Sequence, residues 1–352
     1  MHLRVRKREQ ALGWSAMGIF ALAICLSLGL SGLILALYGK SAVQGMFVFF
    51  HSGFGSLWAL EDAVNKAVPI FLCSLGVAVA FKLQIWNIGA EGQYALGAIG
   101  ATWVALHFSH LPGGLLIPAM LAAATVCGGL WGCIPALLKV RMRANEIIVT
   151  LMLNYIGILF LEYLVYGVWK DEASFGFPMT PQFSESAIIG RIGASNVHWG
   201  LLVCLGIGIL MSLLLSKTRI GFELKASGEN LSAARYAHIP YAKLVVLVLV
   251  VSGALAGWAG CVESSATLNR LQPSVMAGYG YTAIVVAWLA RLNPLGIAFF
   301  SFLLAGMLVG VEGLQLDLQV PAAFGSIMEG LILLTVLSGQ FFTHYRFEVV
   351  KG

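Results

Sequence analysis

A chain of 352 residues with 59% hydrophobic and only 11% charged side chains, 41 glycines and a mean hydropathy of +0.88 does not have the composition of a soluble globular domain. The net charge of +5 is accounted for by Lys and Arg that set orientation, so it implies no nucleic-acid partner. What remains is an all-α polytopic membrane protein, expected to form a single transmembrane domain over residues 1–352.

The chain opens with Arg4, Arg6, Lys7 and Arg8, a basic cytoplasmic tail over residues 1–12, followed by an apolar run over 13–38. That run is too long for the core of a secretory signal and carries no convincing cleavage site, so it reads as a retained first helix. Gly39-Lys40-Ser41 at its end resembles the close of a phosphate-binding loop, but Ile34 stands where such a loop needs glycine. The next spans fall near 67–82 and 87–107. A crossing takes about 20 mostly apolar residues, so 67–82 is short and suggests a tilted or broken helix. Between the two lies Asn87-Ile88-Gly89-Ala90-Glu91-Gly92-Gln93-Tyr94, where polar side chains interrupt the apolar pattern. At membrane depth such groups need protein partners or a cavity. On a helix, Asn87, Glu91 and Tyr94 would share a face.

Spans near 114–138 and 146–166 follow. Glu146, Thr150 and Asn154 fall within about 80° of one another on a helix and form one polar stripe. At 1.5 Å per residue, Asn154 lies about 12 Å deeper than Glu146, near the midplane. Glu146, in the first turn, suits the helix N-terminus or a pair with Arg143. Helix–helix glue accounts for each polar residue singly; a polar pathway accounts for the set, to which Glu312 and Glu329 in later spans also contribute. The glycines at 89, 92, 97 and 100, and at 128, 129 and 132, read as close-packing positions.

The segment 167–197 has no helical periodicity and reads as an external loop or cap. After a span near 198–216 comes a polar segment over 217–243. Within it Gly228 is read as a backbone turn closed to other residues, and Asn230 caps a short helix that Pro240 stops. Spans near 244–262, 281–292, 295–314 and 322–341 complete a set of ten. The span at 281–292 is again too short for a plain crossing. Asn293-Pro294-Leu295-Gly296 weakly echoes the hairpin at Asn87.

With both termini cytoplasmic, only Lys40, Lys66, Lys170, Arg191 and Arg270 of the 21 Lys and Arg fall outside, as the positive-inside rule demands. The six cysteines lie in or at the ends of apolar spans without a C-x-x-C pair, and no His, Cys or carboxylate cluster has metal-ligand spacing. No nucleophile elbow or other catalytic motif is present.

Three motifs carry a family resemblance: Asn87 to Gln93; Ala144-Asn145-Glu146-Ile147-Ile148-Val149-Thr150-Leu151-Met152-Leu153-Asn154-Tyr155; and Gly221-Phe222-Glu223-Leu224 with Ala226-Ser227-Gly228-Glu229-Asn230 and Ala233-Ala234-Arg235. From about Glu61 to Phe341 the chain resembles permease subunits of ABC importers for branched-chain amino acids, simple sugars and nucleosides, and within them the nucleoside subgroup. The resemblance implies a multi-pass subunit of the bacterial inner membrane that does no covalent chemistry and holds no cofactor. ATP and Mg would sit on a cytoplasmic ABC ATPase. A second permease subunit, as a heterodimer, and an external substrate-binding lipoprotein or periplasmic protein would complete the system. Asn87, Glu91, Gln93, Tyr94, Thr150 and Asn154 are then the expected substrate pathway, and Glu223, Ala226, Gly228, Glu229, Asn230 and Arg235 the expected ATPase-coupling loop. His238 stands where the family commonly has a small residue, often glycine. A sugar permease and an ion-coupled carrier using Glu91, Glu312 and Glu329 are the competing readings.

Overall fold

Thirteen helices account for most of the chain in the computed structural model, which describes residues 2–7 and 14–350, and side chains from residue 18 onward except those of residues 20, 322, 340 and 344–350. The remainder of the basic tail, including Arg8, and Lys351 lie outside the described residues. Seven of the helices are both long and apolar enough to cross a membrane. Each of the ten expected spans coincides with a helix, and the helices group into two compact units.

The first unit comprises Met1–Ala63 with Gly306–Gly352. It holds α1 (Trp14–Leu37), α2 (Ala42–Phe54), the start of α3 (Leu57–Lys82), the end of α12 (Pro294–Leu318) and α13 (Ala322–His344). Two short strands, β1 (His2–Lys7) and β2 (Tyr345–Val350), pair antiparallel with His2 opposite Val350 and Lys7 opposite Tyr345. The other elements of the described residues are helical, as the all-α class expects, and the ribbon brings His2 and Val350 together. Helix α2 was not foreseen: Gln44, His51 and Ser52 dilute its hydropathy, and at 13 residues it is short for a crossing. Ser41, the last residue of the false phosphate-loop match, is its N-cap and accepts from Gln44 N at 3.3 Å.

Helix α3 corrects the sequence reading of a short, tilted span. It is 26 residues long and starts at Leu57, ten residues before the apolar run, because Glu61, Asp62 and Lys66 occupy its outer turns.

The second unit, Val64–Ala305, is built around α4 (Ala90–His107), α5 (Gly113–Met142) and α10 (Tyr241–Val262). Their contact is a glycine seam. Gly97 lies on the backbone of Gly257, Gly128 on that of Gly253, and Gly132 on the carbonyl of Leu249; a methyl group at any of them would overlap backbone. Small residues let the helices approach this closely and gain dispersion contacts in a solvent that offers no hydrophobic drive. Gly129 differs, since an added methyl would sit 3.5 Å from Val250, an ordinary contact. Gly257→Val should therefore destabilise the fold by about 3 kcal/mol, and Gly129→Ala should be nearly silent. Thermal unfolding of the detergent-purified chain checks both.

Around this core stand α6 (Glu146–Tyr163), α7 (Gly200–Lys217), the surface helices α8 (Arg219–Glu229) and α9 (Leu231–Tyr236), the short α11 (Tyr279–Leu289) and the start of α12. Helix α10, with the turns that continue it to Leu268, buries 67% of its apolar window, whereas α7 buries only 17%. Four helix starts use one device: Asn87, Asn145, Asn230 and Asn293 each accept, through Oδ1, the backbone N–H two residues ahead. The echo between Asn87 and Asn293 extends to this turn, but not to the lengths of the helices before it.

The segment 167–197 is an ordered cap. Thr180 N and Phe183 N donate to Leu271 O and Asn269 O, Ser265 Oγ donates to Ala187 O at 2.6 Å, and Asn65 Nδ2 to Asn196 O at 3.0 Å. At the cap's end His198 is 2% exposed, and neither ring nitrogen has a hydrogen-bond partner among the described residues. Burial lowers its pKa to about 4, below the usual 6.5 of an unfolded chain. Its contribution to stability is full above pH 6.5 and declines as pH falls toward 4, by up to about 3 kcal/mol. His198→Phe should flatten the fall in melting temperature across that window.

Candidate functional site

Helix α3 ends at Lys82, Gln84 turns the backbone at φ 57°, and residues 83–89 run without helical structure to the start of α4. Asn87 sits in this break rather than on a shared helix face as the sequence suggested. Its Nδ2 donates to Gln93 Oε1 at 2.9 Å and to Ser252 Oγ of α10 at 2.8 Å, and its Oδ1 accepts from Gly89 N at 3.0 Å. The side chain thereby fastens the break to the core helix.

The stripe on α6 meets the same break. Thr150 Oγ1 accepts from Ile88 N at 3.3 Å. Asn154 Oδ1 accepts from Gly92 N at 2.8 Å, while its Nδ2 donates to Ile88 O at 2.7 Å and to Tyr281 OH of α11 at 3.3 Å. Gly92 N–H belongs to the first turn of α4, where helical amides lack internal acceptors. Gly92 must be glycine for the two helices to meet, since a methyl there would lie 2.9 Å from Asn154 Cα. Glu146 pairs with Lys139 at 2.6 Å and not with Arg143, whose left-handed backbone closes α5.

Glu91 makes the third connection. Its two carboxylate oxygens accept from Gly278 N at 3.0 Å and Gly280 N at 2.6 Å. Gly278 is the N-cap of α11 at φ 77°. A resident carboxylate thus occupies the positive end of a short helix. Tyr94, one turn further along α4, stands edge-on to Tyr279 with ring centroids 6.2 Å apart.

The six pathway candidates therefore converge, each at most 1% exposed, and join α4, α6, α10 and α11. Residue-pattern reasoning missed their partners Ser252, Gly278, Gly280 and Tyr281; the only signal was a glycine pair opening a run too short to cross. Glu312 and Glu329 belong to the first unit, and Glu312 is exposed on α12. Among the described residues, no three His, Cys, Asp or Glu side chains are grouped as a metal site.

The polar segment 217–243 folds as α8 and α9 across one end of the unit. Leu224 and Ser227 are buried, and Leu224 joins a cluster with Val79, Ala80, Leu83 and Ile85. Gly228 does not adopt the left-handed backbone expected of it; it is needed because any side chain would overlap the carbonyl oxygen of Lys82. His238 does adopt it, at φ 56°, a backbone conformation that glycine takes at less cost. Asn230 caps α9 through Ser232 N and Ala233 N, each at 3.0 Å. Glu223 pairs with Arg219 at 2.7 Å and Glu229 with Lys225 at 3.9 Å, Ala226 is half-buried, and Arg235 is exposed. Phe222 and Tyr236 turn outward, 68% and 90% exposed.

Residues 59–337 match the family model described as branched-chain amino acid transport system, permease component. Among curated relatives, the glucose ABC transporter permease protein TsgB13 of Haloferax volcanii is 31% identical over 98% of this chain and 93% of its own. The guanosine ABC transporter permease protein NupP of Bacillus subtilis is 31% identical over 94% of each chain. The nucleoside ABC transporter permease protein NupB of Lactococcus lactis subsp. cremoris is 29% identical over 89% of this chain and 88% of its own.

Proposed function

The chain belongs to the permease-component family of branched-chain amino acid transport systems, and from that premise we propose that it is the pore subunit of an ATP-driven importer of nucleosides. The observation that carries the cargo is the pair of nucleoside and guanosine permeases matching nearly the whole chain. The chemistry of the joint agrees: a nucleoside is uncharged with a flat base, and the lining offered is amide, hydroxyl and aromatic. Glu91 is already held by two backbone amides, which also speaks against an ion-coupled carrier that must load and unload a proton or sodium ion at that residue; a second carboxylate, Glu263, is buried at the end of α10. A simple-sugar cargo is the second reading, favoured by the glucose permease relative.

In this proposal residues 1–352 form one permease domain with ten crossings and both termini in the cytoplasm of a bacterium, in its inner membrane. The paired β1 and β2 support termini on a common side. Lys82, Lys139, Lys225 and Lys243 gather at the end of the second unit that carries α8, and Lys170, Arg191 and Arg270 at the end that carries the cap, as the positive-inside rule requires of a cytoplasmic α8. The coupling residues Glu223, Ala226, Gly228, Glu229, Asn230 and Arg235 dock on an ABC ATPase, which binds ATP and Mg. A second permease subunit completes a heterodimeric pore and an external binding protein delivers cargo to the cap. The pathway passes the joint at Asn87, Glu91, Gln93, Tyr94, Thr150 and Asn154.

The test is uptake of radiolabelled nucleosides beside simple sugars, in cells with and without this chain and with its partner subunits intact. Loss of nucleoside uptake alone is the expected result. Loss of sugar uptake instead would move the cargo to the second reading, and no loss of either would overturn both.

A further inference from the structure

Helix α11 is 11 residues long, about 16 Å, too short to cross a bilayer. Eight of its residues are buried, and the three that are not, Tyr281, Ile284 and Trp288, lie within about 60° of one another. This half-open stripe starts at the polar joint, where Tyr281 OH accepts from Asn154. It runs about 10 Å toward the end of the unit that carries α8. There Trp288 stacks on Trp86 with ring centroids 5.4 Å apart and planes 29° from parallel, and Phe81 closes the cluster at 5.0 and 5.7 Å from the two indoles. Trp86 is 39% exposed and stands in the unwound break next to Asn87.

An indole that merely anchors a helix at the lipid interface projects from a spanning helix. Trp86 projects from backbone that is not helical, and such backbone is tolerated at membrane depth only inside protein or along a cavity. The face shared by Trp86, Trp288 and Tyr281 is therefore not a lipid face. We propose that this stripe is the inner half of the cargo path, and that the Trp86–Trp288 pair is its specificity element, a planar surface on which the base of a nucleoside stacks after leaving the joint. The inference rests on the nucleoside reading above and deepens it: recognition is of the flat base, not of the ribose. Aromatic stacking suits this task because every base presents a π-face, so purines and pyrimidines both pass. The aromatic pair also tells a nucleoside from an aliphatic amino acid, which has no such face to offer.

The experiment is concentration-dependent uptake of a radiolabelled purine nucleoside by the complete transporter carrying Trp86→Leu, Trp288→Leu, or the conservative Trp86→Phe. Adenine and ribose are tested as competitors. The expected result is a rise in KM of at least fivefold for each leucine variant with a smaller change in maximal rate, near-normal KM for Trp86→Phe, and competition by adenine but not ribose that is lost in the leucine variants. Unchanged KM in both leucine variants overturns the inference while leaving nucleoside transport standing. Competition by ribose in place of adenine overturns it as well. Loss of the partner permease from complexes purified with Trp86→Leu would make the indole an interface anchor and likewise overturn it. Absence of nucleoside uptake by the wild-type transporter overturns the cargo reading and the inference together.

Discussion

Gly228→Val will abolish ATP-driven uptake while leaving the chain inserted. Helix α8 lies on the last turn of α3 with Leu224 and Ser227 buried and Gly228 against the Lys82 carbonyl. A valine side chain has nowhere to go except by lifting α8 off that turn. The residues beneath, Lys82 and Leu83, lead within five positions to Asn87, so α8 and the polar joint share one short, packed connection. If the ATPase works by displacing α8, this connection transmits the displacement. Driving a pore from 1:99 to 99:1 between its facing states takes roughly 5.5 kcal/mol of differential interaction, which a lifted helix cannot deliver. Uptake by proteoliposomes of the complete transporter should fall more than tenfold, with ATP hydrolysis no longer responding to cargo. Gly228→Ala should fall between valine and wild type, since its methyl meets the same oxygen but one helix shift of smaller extent relieves it. Wild-type coupling in the valine variant would remove α8 from the transmission path.

The helices were legible because hydropathy reports burial and lipid exposure alike, and a helix fills most of each expected segment, seven of the helices being long and apolar enough to cross. The same averaging hid α2, whose Gln44, His51 and Ser52 lower the window, and it trimmed α3 at Glu61 and Lys66. The polar residues were legible as a set, since an Asn, a Glu and a Gln at membrane depth must be partnered. Their partners were not. Asn87 bonds Ser252 across 165 positions and Glu91 reaches Gly280 across 189, and pattern reading along the chain carries no information about such pairs. Gly228 shows a different limit: glycine was correctly expected to matter, but its reason is the approach of Lys82 from another helix, not its own backbone angle. Where the reason was local, as with the cap of Asn230 on α9, sequence and structure agree.

Glu91→Leu should be the most damaging substitution within the joint itself. Two backbone amides at the start of α11, Gly278 N–H and Gly280 N–H, are served by its carboxylate, and leucine accepts from neither. Each buried donor left unmade costs about 1–3 kcal/mol, so the loss is about 3 kcal/mol, enough to lower the fraction of seated α11 about a hundredfold if that seating is otherwise finely balanced. Because Gly280 lies directly on the Glu91 backbone, no neighbouring side chain can swing in to replace the lost acceptor. Glu91→Gln separates charge from geometry: its carbonyl oxygen keeps one acceptor, its amide turns a second donor toward a donor, and the favourable interaction with the helix end is lost. Uptake should therefore fall in the order wild type, glutamine, leucine, with Asn154→Leu close to the last because Gly92 N–H and Ile88 C=O lose their partner together. Equal uptake in the glutamine and wild-type transporters would mean that charge at the α11 terminus is irrelevant. Wild-type uptake in the leucine variant would show that α11 is held by its buried apolar faces alone, and the polar joint would then no longer explain why the helices break where they do.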